Sequence, residues 1–128
     1  MSFSGASRVV AITPILLAVA LVGSATTAVA ADMPSFENYC PEAAQFQFPT
    51  SAGKRFMAYL QCSSSENKFK EQLQKHWRLV TDDDVKICMK YKGKKNAIDS
   101  YSGLMGCLSE LVGERCYSGE LNCRGEVL

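Results

Sequence analysis

Six cysteines, a single histidine, three adjacent aspartates and a run of lysines are the residues of this chain that could do chemistry. The cysteines are Cys40, Cys62, Cys88, Cys107, Cys116 and Cys123. No two of them have the two-residue gap of a zinc knuckle or of a thiol oxidoreductase, and there is no Cys-x-x-Cys-His for haem attachment. An even count at wide spacing fits three disulfides in an oxidising compartment, chosen from 15 possible pairings. His76 beside Trp77 could serve as a general base with a nearby carboxylate, but a lone histidine on a helix flank is more commonly an exposed or capping side chain. Gly-x-Ser-x-Gly, a phosphate loop and His-Glu-x-x-His are all missing from the sequence.

Thr81-Asp82-Asp83-Asp84 invites a cation. Calcium loops spread their oxygen ligands over about a dozen residues around a glycine turn, a pattern this run lacks. Threonine followed by carboxylates is instead a good helix start, because the side chains meet the free N–H groups and the positive end of the dipole. Lys86, Lys90, Lys92, Lys94 and Lys95 fall within ten residues. Such a run is ordinarily the solvated exit of a helix, and in the sharper reading it is a patch for an anionic partner.

The elements that must position these residues begin after an export-type leader. Arg8 precedes an almost wholly apolar stretch from Val9 to Val22, and small residues then lead to Ala28-Val29-Ala30. The apolar run of about 14 residues is short of the roughly 20 that cross a bilayer, so a cleavable signal over residues 1–30 is expected, with no membrane span in the mature form. Ser24, where a lipoprotein would carry cysteine, has no thiol to acylate. The mature part, 31–128, is long enough for one domain. Arg8 is the only charge in the leader, so the 14 basic residues of the chain fall to 13 in the mature part, against 13 acidic ones. A neutral domain has no global pull toward nucleic acid.

From Ala31 to Pro49 three prolines and the lack of a period suggest an irregular arm tied down by Cys40. Ser51 to Cys62 suits a short helix. Ser63 and Glu66 have the form of a capping box that opens a second helix, along which Phe69, Leu73, Trp77 and Val80 make one apolar stripe. A third helix starts at Thr81 and ends near Lys92, with Gly93 as its left-handed terminus. Ser100 opens the last helix, whose face is Tyr101, Leu104, Cys107, Leu108, Leu111 and Val112. Gly103, Gly106 and Gly113 weaken that helix by about 1 kcal/mol each relative to alanine, which suggests close packing there. Cys116 to Cys123 reads as a tight tail bending at Ser118-Gly119.

Consecutive helices that each carry a cysteine on an apolar face predict a hairpin locked by Cys88–Cys107. Cys40–Cys62 would tether the arm and Cys116–Cys123 would close the tail. Trp77, Cys88 eleven positions on, Ser100-Tyr101, Leu104 and Cys107-Leu108 together resemble a signature of small exported proteins of alphaproteobacteria, most of them uncharacterised. The resemblance covers about residues 77–110. These positions read as a structural motif, with Trp77 and Tyr101 packing near the bridge and Leu104 and Leu108 as structural residues beside them, and the resemblance carries no activity to transfer. Val85 stands where the resemblance leads one to expect arginine, and Gly103 where it leads one to expect an acid.

The expectation is an all-α, disulfide-stapled domain with a helical hairpin and an irregular N-terminal arm. It is periplasmic or secreted, needs no cofactor or metal, and binds through Lys90, Lys92, Lys94 and Lys95 to an anionic envelope component or protein. The alternative is a small secreted hydrolase or enzyme inhibitor using His76 and nearby carboxylates. The direction in which His76 points discriminates the two.

Overall fold

A computed structural model describes residues 31–128; the signal-like segment, residues 1–30, lies outside the described residues. The four α-helices among the described residues are α1 (Tyr39–Gln47), α2 (Ala52–His76), α3 (Asp82–Cys88) and α4 (Tyr101–Ser118), and a single 3-10 turn, Trp77–Leu79, follows α2. No strand occurs among them, and no helix among them is long and apolar enough to cross a membrane. The core lies where the second half of α2 and the 3-10 turn meet α4, with Leu73, Leu79, Leu104, Leu108 and Val112 shut off from water. Tyr101 is buried beside them, with its ring edge-on to Phe36 at 5.1 Å.

The irregular arm is confined to 31–38, and residues 39–47 are helical. Pro41 does not prevent this, because it sits in the first turn of α1, where a backbone N–H has no helical partner to lose. The Cys40–Cys62 bridge, with Cα atoms 5.6 Å apart, and buried Ala44 hold α1 antiparallel on α2. The short helix and the second helix expected on either side of Ser63 are one helix of 25 residues. Nothing between Ala52 and His76 breaks a helix, so the Ser63/Glu66 pattern is interior and no capping box forms there. Glu66 instead reaches across to α4, where its carboxylate accepts N–H groups from Tyr101 at 2.5 Å and Ser102 at 3.4 Å. Ser100 Oγ accepts the Gly103 N–H at 3.1 Å, so a residue from another helix and the expected local cap share the start of α4.

The start of α3 is as expected: Thr81 and Asp84 form a reciprocal capping box. The helix stops at Cys88, four residues before Lys92, and a chain of turns continues instead. The other end of α4 also moves. Cys116 lies within the helix, and the tail begins at Gly119, whose φ of +79° closes it in the left-handed region.

Disulfides join Cys88 to Cys107 and Cys116 to Cys123, with Cα separations of 5.9 and 5.7 Å, and with Cys40–Cys62 they give the pairing read from the spacing. The close packing inferred at the α4 glycines is absent at two of them. A Cβ at Gly106 or Gly113 would meet nothing within 4 Å, and only at Gly103 would it crowd Ser100 Oγ, at 3.0 Å. Gly106 and Gly113 are therefore plain losses of helix propensity on an open face. Gly106→Ala and Gly113→Ala should each stabilise the domain by about 0.5–1 kcal/mol, measured by urea unfolding, while Gly103→Ala should not.

Candidate functional site

The four lysines singled out from the sequence, Lys90, Lys92, Lys94 and Lys95, are all exposed on the segment between α3 and α4. Turn hydrogen bonds chain this segment together: Lys92 N–H to Met89 O at 3.0 Å, Lys94 N–H to Tyr91 O at 2.9 Å and Ala97 N–H to Lys94 O at 3.1 Å. Gly93 and Asn96 take positive φ, +77° and +72°, which folds the chain back on itself twice. One end of the loop is fixed by Cys88 and its bridge to Cys107, the other by the capped start of α4. Among the described residues the ion pairs are His76–Glu126, Arg78–Glu126, Lys86–Asp83 and Arg115–Asp84, so none of the four loop lysines is neutralised by a contacting carboxylate. Lys90 lies over the Tyr91 ring at 5.6 Å. Lys86, the fifth of the run, pairs with Asp83 at 3.3 Å on α3 and stands apart from the other four. On its inner side the loop borders a cleft of about 290 Å³ lined by Lys92 together with Glu37, Glu42 and Asp99, so Lys92 has carboxylates in its neighbourhood, while Lys90, Lys94 and Lys95 lie outside that cleft.

His76 is not an exposed flank residue. It is 8% exposed, and its Nδ1 lies 3.0 Å from Glu126 Oε2. The carboxylate can only accept, so in the neutral ring Nδ1–H donates and Nε2 keeps the lone pair. Arg78 binds the other oxygen of Glu126. A shallow cleft of about 440 Å³ is lined here by Gln72, Lys75, His76, Arg78, Gly125, Glu126 and Val127. No serine, threonine or cysteine is among its lining residues, so the pair has a base and an orienting carboxylate with no hydroxyl or thiol nucleophile beside them. The hydrogen bond from Arg78, then the one from His76, holds the Glu126 carboxyl below its ordinary value of 4.5. With its folded pKa depressed, Glu126 contributes its stabilisation fully above about pH 4.5 and loses it as pH falls through the folded value. Glu126→Gln should accordingly melt lower than the native protein at neutral pH and converge with it in acid. Thermal melts across that range check this.

Trp77, Tyr101, Leu104 and Leu108 do pack with the core cluster that contains Cys88, and Cys107 borders it. The Trp77 indole N–H donates to the Ala31 carbonyl and ties the start of the described chain to the end of α2. Three polar contacts escaped the sequence reading: Glu66 with α4, Glu126 with His76, and Asp84 with Arg115. Each joins residues at least 31 positions apart; the sequence marks Asp84 and Glu66 only as local caps, and His76 as a base whose carboxylate it does not name. Among the described residues no three His, Cys, Asp or Glu side chains stand together as a metal site would require.

The fold and these surfaces define a small all-α domain stapled by three disulfides. Comparison of the chain with protein-family models, with curated proteins and with solved structures found no match.

Proposed function

We propose that the protein is an exported, non-catalytic binding factor of the periplasm or the extracellular space whose turn-braced lysine loop engages an anionic envelope component or protein. The observation that carries this reading is that Lys90, Lys92, Lys94 and Lys95 are exposed and unpaired on a loop fixed at both ends. Three disulfides in 98 residues support an oxidising compartment, and so does the leader-like composition of residues 1–30. The similarity of residues 77–110 to small exported alphaproteobacterial proteins agrees with the same compartment.

Binding is tested with vesicles of anionic and of zwitterionic phospholipid and with polyglutamate, each at low and at physiological salt. A lysine close to an anionic surface is worth about 1 kcal/mol, so replacing all four with glutamine should weaken binding by about a hundredfold or more and flatten its salt dependence. Stability should hardly change, since the four side chains are exposed and make no ion pair. His76→Gln should bind as the native protein does. Equal binding by the quadruple variant at low salt would reduce the loop to a solvated turn.

One observation favours a second reading: His76 shares a cleft with Glu126, the arrangement a general base requires. That reading is a small hydrolase activating water directly. It stands second because Arg78 competes for the carboxylate that would orient the base. Turnover of a chromogenic ester, abolished by His76→Gln, would reverse the order.

A further inference from the structure

The first half of α2 carries an apolar face that the fold leaves in water. Its inward side is spent on Cys62, Glu66 and Leu73, at helical spacing. The opposite side holds Gly53, Met57, Leu60 and Ser64, spaced by four, three and four residues, all exposed. Met57 is 64% exposed and Leu60 44%, with Phe56 beside them at 59%. The body of α1 lies on another side of α2, and only its end, Gln47 and Phe48, rims the groove that Met57 and Leu60 share with Gly53, Lys54, Ala58 and Gln61.

The order along this face is small, large, large, small, which reads the same in both directions. Turned antiparallel about a two-fold axis between residues 57 and 60, a second α2 would set its Leu60 on Met57 and its Ser64 on Gly53. The bulky pairs would then fill the centre, and the small pairs would let the helix ends approach. Lys54 and Arg55 are the only charges on α2 between Ala52 and Ser65. Antiparallel packing places these basic ends far apart, whereas parallel packing would stack them. The apolar side chains expose about 300 Å² per copy. Two copies would therefore cover about 600 Å² of apolar surface between them, to which the polar neighbours add, the size class of a weak and reversible contact.

We propose that the protein self-associates into a two-fold dimer through antiparallel packing of the first halves of α2, with Met57 of each copy against Leu60 of the other. The contact is isologous, so one patch serves both partners. It leaves the lysine loop free and holds whether or not that loop binds an anion.

Sedimentation equilibrium of the native oxidised protein should show a reversible monomer–dimer equilibrium with a Kd in the micromolar range. Met57→Glu with Leu60→Glu buries like charges at the centre and should weaken association by about a hundredfold or more. Both positions are exposed, so helicity by circular dichroism and the three disulfides by mass should be unchanged. Met57→Lys with Leu60→Glu in one chain sets lysine against glutamate in the antiparallel register and like against like in the parallel one. This variant should dimerise at least tenfold more tightly than the double glutamate variant. A native protein that stays monomeric up to millimolar concentration overturns the proposal. So does a lysine/glutamate variant as weak as the double glutamate one, because association would then lack the stated register.

Discussion

Asp84→Ala should lower the unfolding free energy by about 3–5 kcal/mol. Two effects add at this residue. The Asp84 side chain completes the capping box of α3 by accepting the Thr81 N–H at 2.8 Å, and it pairs with Arg115 of α4. Both partners are sheltered, with side chains 8% and 19% exposed, and Arg115 also donates to the Leu79 carbonyl at 3.2 Å. Arg115 Nε is buried without a partner, so the guanidinium is already short of one acceptor. Removing the carboxylate leaves a sheltered positive charge with a single backbone oxygen to serve it. Breaking one side of such a pair is far more costly than replacing both sides. Asp84→Asn combined with Arg115→Met should therefore recover most of the loss, since asparagine still caps and methionine fills the stem's volume. Urea unfolding of Asp84→Asn, of Arg115→Met and of the double variant gives the coupling directly.

Replacing Cys88 and Cys107 together with alanine should cost about 3 kcal/mol, the chain-entropy value for a bridge 19 positions apart in sequence. For a domain of this size that is a large part of the whole margin. The bridge also fixes the start of the lysine loop. Loss of stability and faster amide exchange in 89–96 should appear together, whereas the Cys116–Cys123 pair, only seven residues apart, should cost less and leave that loop unaffected. Denaturant melts with hydrogen exchange read both effects. An unchanged exchange rate in the loop would mean that its turns hold their shape without the bridge.

Local chemistry alone determined a good deal of this protein. The Thr81 and Ser100 caps, the left-handed residue at Gly93, the bend at Ser118-Gly119 and the apolar face of α4 from Tyr101 to Val112 were legible because each depends on residues within a turn or two of one another. The disulfide pairing was legible for a related reason, since cysteines on consecutive elements have the shortest loops to close.

Other features were settled only by the tertiary structure. Ser63 and Glu66 make the same pattern inside a helix as at its start, and the sequence window does not show whether Glu66 turns back to its own helix or crosses to α4. Residues 39–47 have a weak helical signature and form α1 where α2 and the Cys40–Cys62 bridge give them a surface to pack on. His76 looked like a solvent-facing residue because its partner, Glu126, is 50 positions away, on a tail that folds back over the end of α2. The pairing of charges across such distances is set by which backbones the core brings together, and that depends on the burial of Leu73, Leu79, Leu104 and Leu108 as a group, a property no short stretch of the chain contains.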